Sequence, residues 1–336
     1  MGDTIGRYDL EWIEGPRYVE DIERVPGTRW LVGSAVSAMS TPGVPVDPSP
    51  GRLYLVDTED GRVVEGWPGN GGVSPSGNVE LTDPVEPERF APHGIAISEA
   101  AKDGVRELYV VHHGARESIE VFEISVDGSG PPTLTWTGAI QRRPDIEGNA
   151  VAALPGGGLI ASHYVPGLTF RPELHDGRVN GGVDRWTVSE GWVTLPGLEV
   201  AFPNGVAVSS DGGTYFLADT SGGLRRATAD GAESSYVRVP LSPDNLKWGD
   251  DGRLVTTGVR QSADVASTFK AVTADPPDPL DVVVAAIDPI TLEVEILVDE
   301  EVSFGLPTTV LEEGGDLYLT SLFVSRLARL RPARER

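Results

Sequence analysis

Hydrophobic residues in this chain come in short runs that alternate with polar positions, and no long stretch shows helical spacing. Arg52–Asp57 (RLYLVD) and residues 107–111 (ELYVV), 118–124 (SIEVFEI), 214–218 (TYFLA) and 316–319 (DLYL) are rich in Val, Ile, Leu, Tyr and Phe. Asp-Gly pairs at 60–61, 127–128, 211–212, 230–231 and 251–252, with Gly-Gly at 314–315, punctuate these runs. Such pairs tolerate the positive φ a tight hairpin needs, so the pattern predicts strands joined by short turns. Residues 99–103 offer at most one helical turn, and the chain reads as all-β.

The runs repeat. A Pro or Gly, then His, Asn or Asp, then a small or apolar stretch recurs at 92–97 (PHGIAI), 148–153 (GNAVAA), 203–208 (PNGVAV), 243–248 (PDNLKW) and 307–310 (PTTV), with a looser copy at 19–25. From Pro92 onward the copies are 56, 55, 40 and 64 residues apart. A unit of about 50 residues with four short strands is the size of a propeller blade. Six such units fill 336 residues. The expectation is therefore a six-bladed β-propeller, one domain over 1–336, with small-residue strands innermost, where blades crowd the axis. A pair of β-sandwiches is the alternative.

In a propeller the starts of the innermost strands converge at one mouth of the central tunnel. Glu20, Asp21, His93, Asn149, Asn204, Asp244 and Asn245 all open or precede a repeat copy. Oxygen donors converging from several blades make a hard-ligand cage of the kind that suits Ca²⁺, which takes 6–8 oxygens in flexible geometry. Zn²⁺ favours His or Cys, and the chain has no cysteine, which also excludes disulfides and thiolate chemistry. Three further histidines, His112, His113 and His163, close strands near the same repeats, which points to general-base chemistry.

The net charge of −24 argues against nucleic-acid partners and is compatible with drawing in a cation. Neither a signal-peptide pattern at the N-terminus nor an apolar run of about 18 residues is found, so a cytoplasmic chain without a membrane anchor, monomeric or a small homo-oligomer, is expected.

The stretch 90–95 (FAPHGI), 108–113 (LYVVHH) and 118–123 (SIEVFE) resembles the serum paraoxonase/arylesterase family, with its PHGI motif, NHP-type segment and VEVF-type strand. The similarity continues through Glu20-Asp21, Asn149, residues 162–164 (SHY), Asn204-Gly205, Asp244-Asn245 and 307–310, over residues 18–330 in order. More distantly the chain resembles SMP-30/gluconolactonase and strictosidine-synthase-like propellers. The resemblance implies a hydrolase of lactones or aryl and alkyl esters with one catalytic Ca²⁺ held by Glu20, Asn149, Asn204, Asp244 and Asn245. It also implies His93 and His113 as the water-activating pair, with His163 nearby. A second, structural ion would lie near Asp21 and the Ile95 carbonyl, but Ala150 stands where the family supplies another carboxylate. His112 replaces a usual Asn, a family histidine near 258–259 is absent, and so are the ring-closing cysteines and the N-terminal apolar helix. Closure is then expected from pairing of the N-terminal strand with residues 325–330. A non-hydrolytic step on a natural product, such as isomerisation, cyclisation or condensation, uses the same site, and a non-catalytic binding propeller is the third reading. Residues 40–50, 66–77, 166–180 and 261–279 are candidate loops over the tunnel mouth, with Trp67, Phe170, Phe269 and Phe304 as candidate pocket walls.

Overall fold

A computed structural model describes residues 4–37, 49–76, 79–98, 106–114, 116–168, 176–261 and 279–333. Six sheets follow one another around a ring. Five begin at an inner strand, Val19–Arg24, Pro92–Ile97, Glu147–Ala153, Pro203–Val208 or Leu246–Trp248, and run outward through successive antiparallel strands. The sixth, with inner strand Pro307–Glu313, is completed by the chain's beginning: Tyr8–Glu14 pairs antiparallel with Arg326–Pro332, from Tyr8 opposite Pro332 to Glu14 opposite Arg326. Among the described residues the fold is thus the expected six-bladed propeller, closed by backbone hydrogen bonds.

Burial is arranged by interface. Six apolar clusters line the six seams between adjacent blades, the largest joining Trp30, Leu53, Leu55 and Trp67 of the first blade to Phe90, Leu108, Phe122 and Trp136 of the second. Two candidate pocket walls belong here instead. Trp67 lies 4.7 Å from the Phe90 ring and 5.6 Å from Phe122, and Phe304 lies 5.5 Å from Trp12. Within the candidate loop 66–77, Gly71–Val73 adds a parallel strand to the outer edge of the second blade. Phe170, Phe269, the turn at 99–103 and most of 40–50 and 261–279 lie outside the described residues. No helix among the described residues is long and apolar enough to cross a membrane.

What positions the site is a bulge repeated from blade to blade. Pro92 pairs with His112 and Ile95 with Val110, so three steps on the inner strand match two on its neighbour. The same extra residue occurs between Gly148 and Val151, Pro203 and Val206, and Pro307 and Val310, and between Val19 and Asp21. A bulge breaks the strict in-out alternation of a strand and re-aims a side chain. Here it falls at Glu20, His93, Asn149, Asn204 and Thr308-Thr309. Two bulges use glycine for close approach rather than for unusual φ. A Cβ on Gly94 would lie 2.5 Å from the Asn149 carbonyl oxygen, and one on Gly205 would lie 2.3 Å from the Leu246 nitrogen. Gly94→Ala is therefore expected to force the second and third blades apart and cost about 1–3 kcal/mol. Calorimetry should show a melting temperature several degrees below the parent's, and an unchanged value would mean the bulges are not in tight contact.

Candidate active site and metal centre

At the tunnel mouth the bulged side chains meet. The Glu20 carboxylate is buried, and its Oε1 accepts a 2.6 Å bond from Asn245 Nδ2, which also donates to Thr309 Oγ1 at 3.0 Å. Asn149 donates through Nδ2 to His93 Nε2 at 3.3 Å, and Asn204 through Nδ2 to Thr220 Oγ1 at 3.2 Å. With their nitrogens committed, Asn149 Oδ1 and Asn204 Oδ1 are left buried without a hydrogen-bond partner, as is Glu20 Oε2. A buried oxygen with no donor is costly, commonly ~1–3 kcal/mol. Three such oxygens, on three blades and on residues singled out by the same repeat, suit a cation.

The electrostatics point the same way. Burial raises the Glu20 pKa well above the usual carboxylate range, and the Asp21 and Asp244 charges add to the rise. Asp244, half-buried, is pushed up to about 8 by burial and by Asp21, against a hydrogen bond from Asn204 that lowers it. Like charges held together out of water resist ionisation unless a countercharge joins them. Among the described residues no three His, Cys, Asp or Glu side chains group as a metal site. The donors here are two carboxylates and amide oxygens instead, a set for a hard, oxygen-seeking ion. Asn245 is the exception in orientation, because it turns its amide nitrogen toward Glu20. Serving as a ligand would require its oxygen in that place.

Beside the cage runs a chain of proton carriers. His93 Nδ1 lies 3.1 Å from His113 Nε2, and His113 Nδ1 lies 2.8 Å from Glu117 Oε1. If His113 donates from Nδ1 to the Glu117 carboxylate, its Nε2 is free to accept from His93 Nδ1–H. His93 Nε2 then carries its lone pair, which accepts from Asn149 Nδ2 in this structure and lies 3.8 Å from Glu20 Oε1. Burial, helped by His113, holds the His93 pKa well below the ordinary histidine value, so this imidazole is neutral. Burial also disfavours charge on His113, but the Glu117 hydrogen bond and charge outweigh it and raise its pKa. Burial likewise opposes the charge of Glu117, which His113 nevertheless stabilises, so that its pKa is lowered.

His163 has a different partner. Its Nδ1 is 3.2 Å from Asp184 Oδ2, and among the described residues no hydrogen bond joins it to His93 or His113. Arg142, buried, lies 3.5 Å from the same Asp184 oxygen and interacts electrostatically with Glu117, so it links the two acid–histidine pairs. Burial raises the Asp184 pKa, yet His163, Thr194 and Arg142 bring it down to about 2. His112 faces away, its ring nitrogens 3.1 Å from the Arg116 carbonyl and 3.3 Å from that of Arg89. Consecutive strand residues point to opposite faces, so His112 and His113 could not both reach the tunnel.

Near Asp21 and the Ile95 carbonyl, where a second ion was expected if one existed, the structure places an ammonium. Lys247 Nζ lies 2.9 Å from Asp21 Oδ1, 3.1 Å from Glu23 Oε2 and 3.2 Å from the Ile95 oxygen. Burial opposes its charge, but Asp21 and Glu23 more than compensate, and its pKa is raised.

Comparison with known proteins agrees with the resemblance read from the sequence. The model of the Arylesterase family matches residues 11–130. No curated protein matches the chain by sequence. Among solved structures, a gluconolactonase from Xanthomonas campestris aligns with a TM-score of 0.54 at 15% identity, over 98% of this chain and 90% of that one. A calcium-binding regucalcin from Agrobacterium tumefaciens gives 0.54 at 11%, over 99% and 97%. A streptogramin B lyase gives 0.51 at 12%, over 96% and 97%. At these identities the likeness is one of fold.

Proposed function

We propose that this chain is a hydrolase of lactones or aryl and alkyl esters that works with one divalent ion, Ca²⁺, at the tunnel mouth. The observation that carries the reading is a set of buried, unpartnered oxygens on Glu20, Asn149 and Asn204, with a neutral His93 beside the first two residues. Glu20, Asn149, Asn204, Asp244 and Asn245 would hold the ion, which when bound supplies a Lewis acid for the carbonyl and its developing oxyanion. The residues of the chain do the rest. Once Asn149 Nδ2 gives up its hydrogen bond to His93 Nε2, that nitrogen takes a proton from the attacking water as the water oxygen bonds to the acyl carbon. The proton is relayed through Nδ1 to His113, where Glu117 stabilises the charge. The acyl C–O bond then breaks, and the proton returns to the leaving oxygen. His163, its Nδ1 3.2 Å from Asp184 Oδ2, is a second, separate acid–base pair.

Support comes from the arylesterase match over residues 11–130, which takes in the first blade and most of the second, and from a fold shared with a gluconolactonase and with a calcium-binding regucalcin. The fold alone does not fix the reaction, since a streptogramin B lyase shares it. Hydrolysis of a lactone panel and of phenyl acetate, each with Ca²⁺ and with EDTA, tests the reading. Turnover that disappears with EDTA and returns with Ca²⁺ is expected. Turnover indifferent to chelation sinks the metal mechanism, and metal binding without hydrolysis of any substrate favours a non-hydrolytic reaction on the same residues.

A further inference from the structure

Lys247 comes from the inner strand of the fifth blade, Leu246–Trp248, and only 8% of it is exposed. Its ammonium is surrounded by oxygen: the Asp21 and Glu23 carboxylates of the first blade and the Ile95 carbonyl of the second. Asp21 is itself fixed from several sides. Its Oδ1 accepts from the Ile22 nitrogen at 2.7 Å and from Thr309 Oγ1 of the sixth blade at 3.0 Å, and its Oδ2 from the Ile95 nitrogen at 2.8 Å. Four blades therefore meet at one positive charge. Oxygens only, two of them anionic groups, gathered around a buried point charge are what a hard divalent ion would also require. The set does not fit such an ion as it stands, because the lysine nitrogen fills the place.

We infer that Lys247 is a cation built into the chain, which takes the place of a second metal in the tunnel and ties four blades together without one. The inference rests on the Lys247 contacts and not on the reaction proposed above. Its consequence is that removing the ammonium and its stem opens a metal site that the parent protein lacks. In Lys247→Ala, Asp21, Glu23 and the Ile95 carbonyl lose their countercharge and gain the space the side chain occupied. Lys247→Met removes the charge but keeps the space filled.

The test counts Ca²⁺ per folded chain by native mass spectrometry and follows melting with and without millimolar Ca²⁺. Lys247→Ala is expected to bind one ion more than the parent, whatever number the parent binds. Its melting temperature should rise with Ca²⁺ by about 5 °C more than the parent's, the increment for an added site near saturation. Lys247→Met should be destabilised without gaining an ion. An alanine variant that needs Ca²⁺ to fold supports the inference. One with the parent's stoichiometry, or one that stays unfolded at millimolar Ca²⁺, overturns it, as does a methionine variant that gains an ion. A parent that binds no ion at all refutes the proposed catalytic centre while leaving the difference between parent and alanine variant to decide this one.

Discussion

Glu20→Gln is expected to weaken Ca²⁺ binding by more than about 100-fold and to lower lactone kcat/KM by about 10³-fold at fixed Ca²⁺. Glutamine has the same shape and keeps an oxygen to accept from Asn245, so the cage keeps its packing but loses one of its two negative ligands. The metal-free protein should be no less stable than the parent, because Glu20 is crowded by Asp21 and Asp244 and its charge is unwelcome without an ion. The measurements are isothermal titration with Ca²⁺ and melting in EDTA. Retained Ca²⁺ affinity would remove Glu20 from the cage. Lost affinity together with a collapsed fold would show that Glu20 holds the ring rather than an ion.

His93→Gln makes the complementary separation. Here hydrolysis should fall by about 10²–10⁴-fold, the usual contribution of a positioned general base, while Ca²⁺ affinity stays within a few-fold of the parent's. A Glu117 carboxylate accepts from His113 Nδ1, His113 Nε2 then accepts from His93 Nδ1, and His93 Nε2, bonded to Asn149, is the nitrogen that the proposed reading makes the base. Glutamine can still fill the volume and hydrogen-bond Asn149, but it cannot accept a proton near neutral pH. A variant that hydrolyses lactones at the parental rate would exclude His93 as the base and turn attention to His163 and Asp184.

Much of this architecture is visible in the sequence, because its signals are local. Strand runs, Asp-Gly turns and the repeated Pro or Gly with a polar residue mark the inner strands from Pro92 to Pro307, and the pairing of residues 325–330 with the N-terminal strand follows from the ring having to close. The tunnel-facing oxygens stand out for the same reason, since each interrupts an otherwise apolar, small-residue run. What is not legible lies in partners brought from elsewhere in the chain. Glu117 follows His113 by four residues and reads as an ordinary surface charge. Arg142 and Asp184 sit at or within outer strands, where a charged residue normally faces water. Lys247, in the run LKW, looks like the exposed position of an alternating strand. Only the curvature of the ring brings Asp21 and Glu23 across to meet it. For Trp67 and Phe304 the sequence favours ordinary packing over a pocket wall, and the blade seams are where both side chains pack.

The repeated bulge would make the proposed ion's berth a property of the whole wheel. Glu20, Asn149, Asn204 and Asn245 each sit at the hub end of a different spoke, and adjoining hubs touch backbone to backbone, as where the Gly205 nitrogen meets the Asp244 carbonyl at 3.1 Å and the Asn245 nitrogen meets the Thr308 carbonyl at 2.9 Å. The bore between those hubs is set by how the blades lean on one another along their apolar seams. If the proposed ion binds there, discrimination between a larger and a smaller divalent ion, which turns on a few tenths of an ångström in ligand distance, would depend on seam residues such as Val111 and Val206 as well as on the ligands.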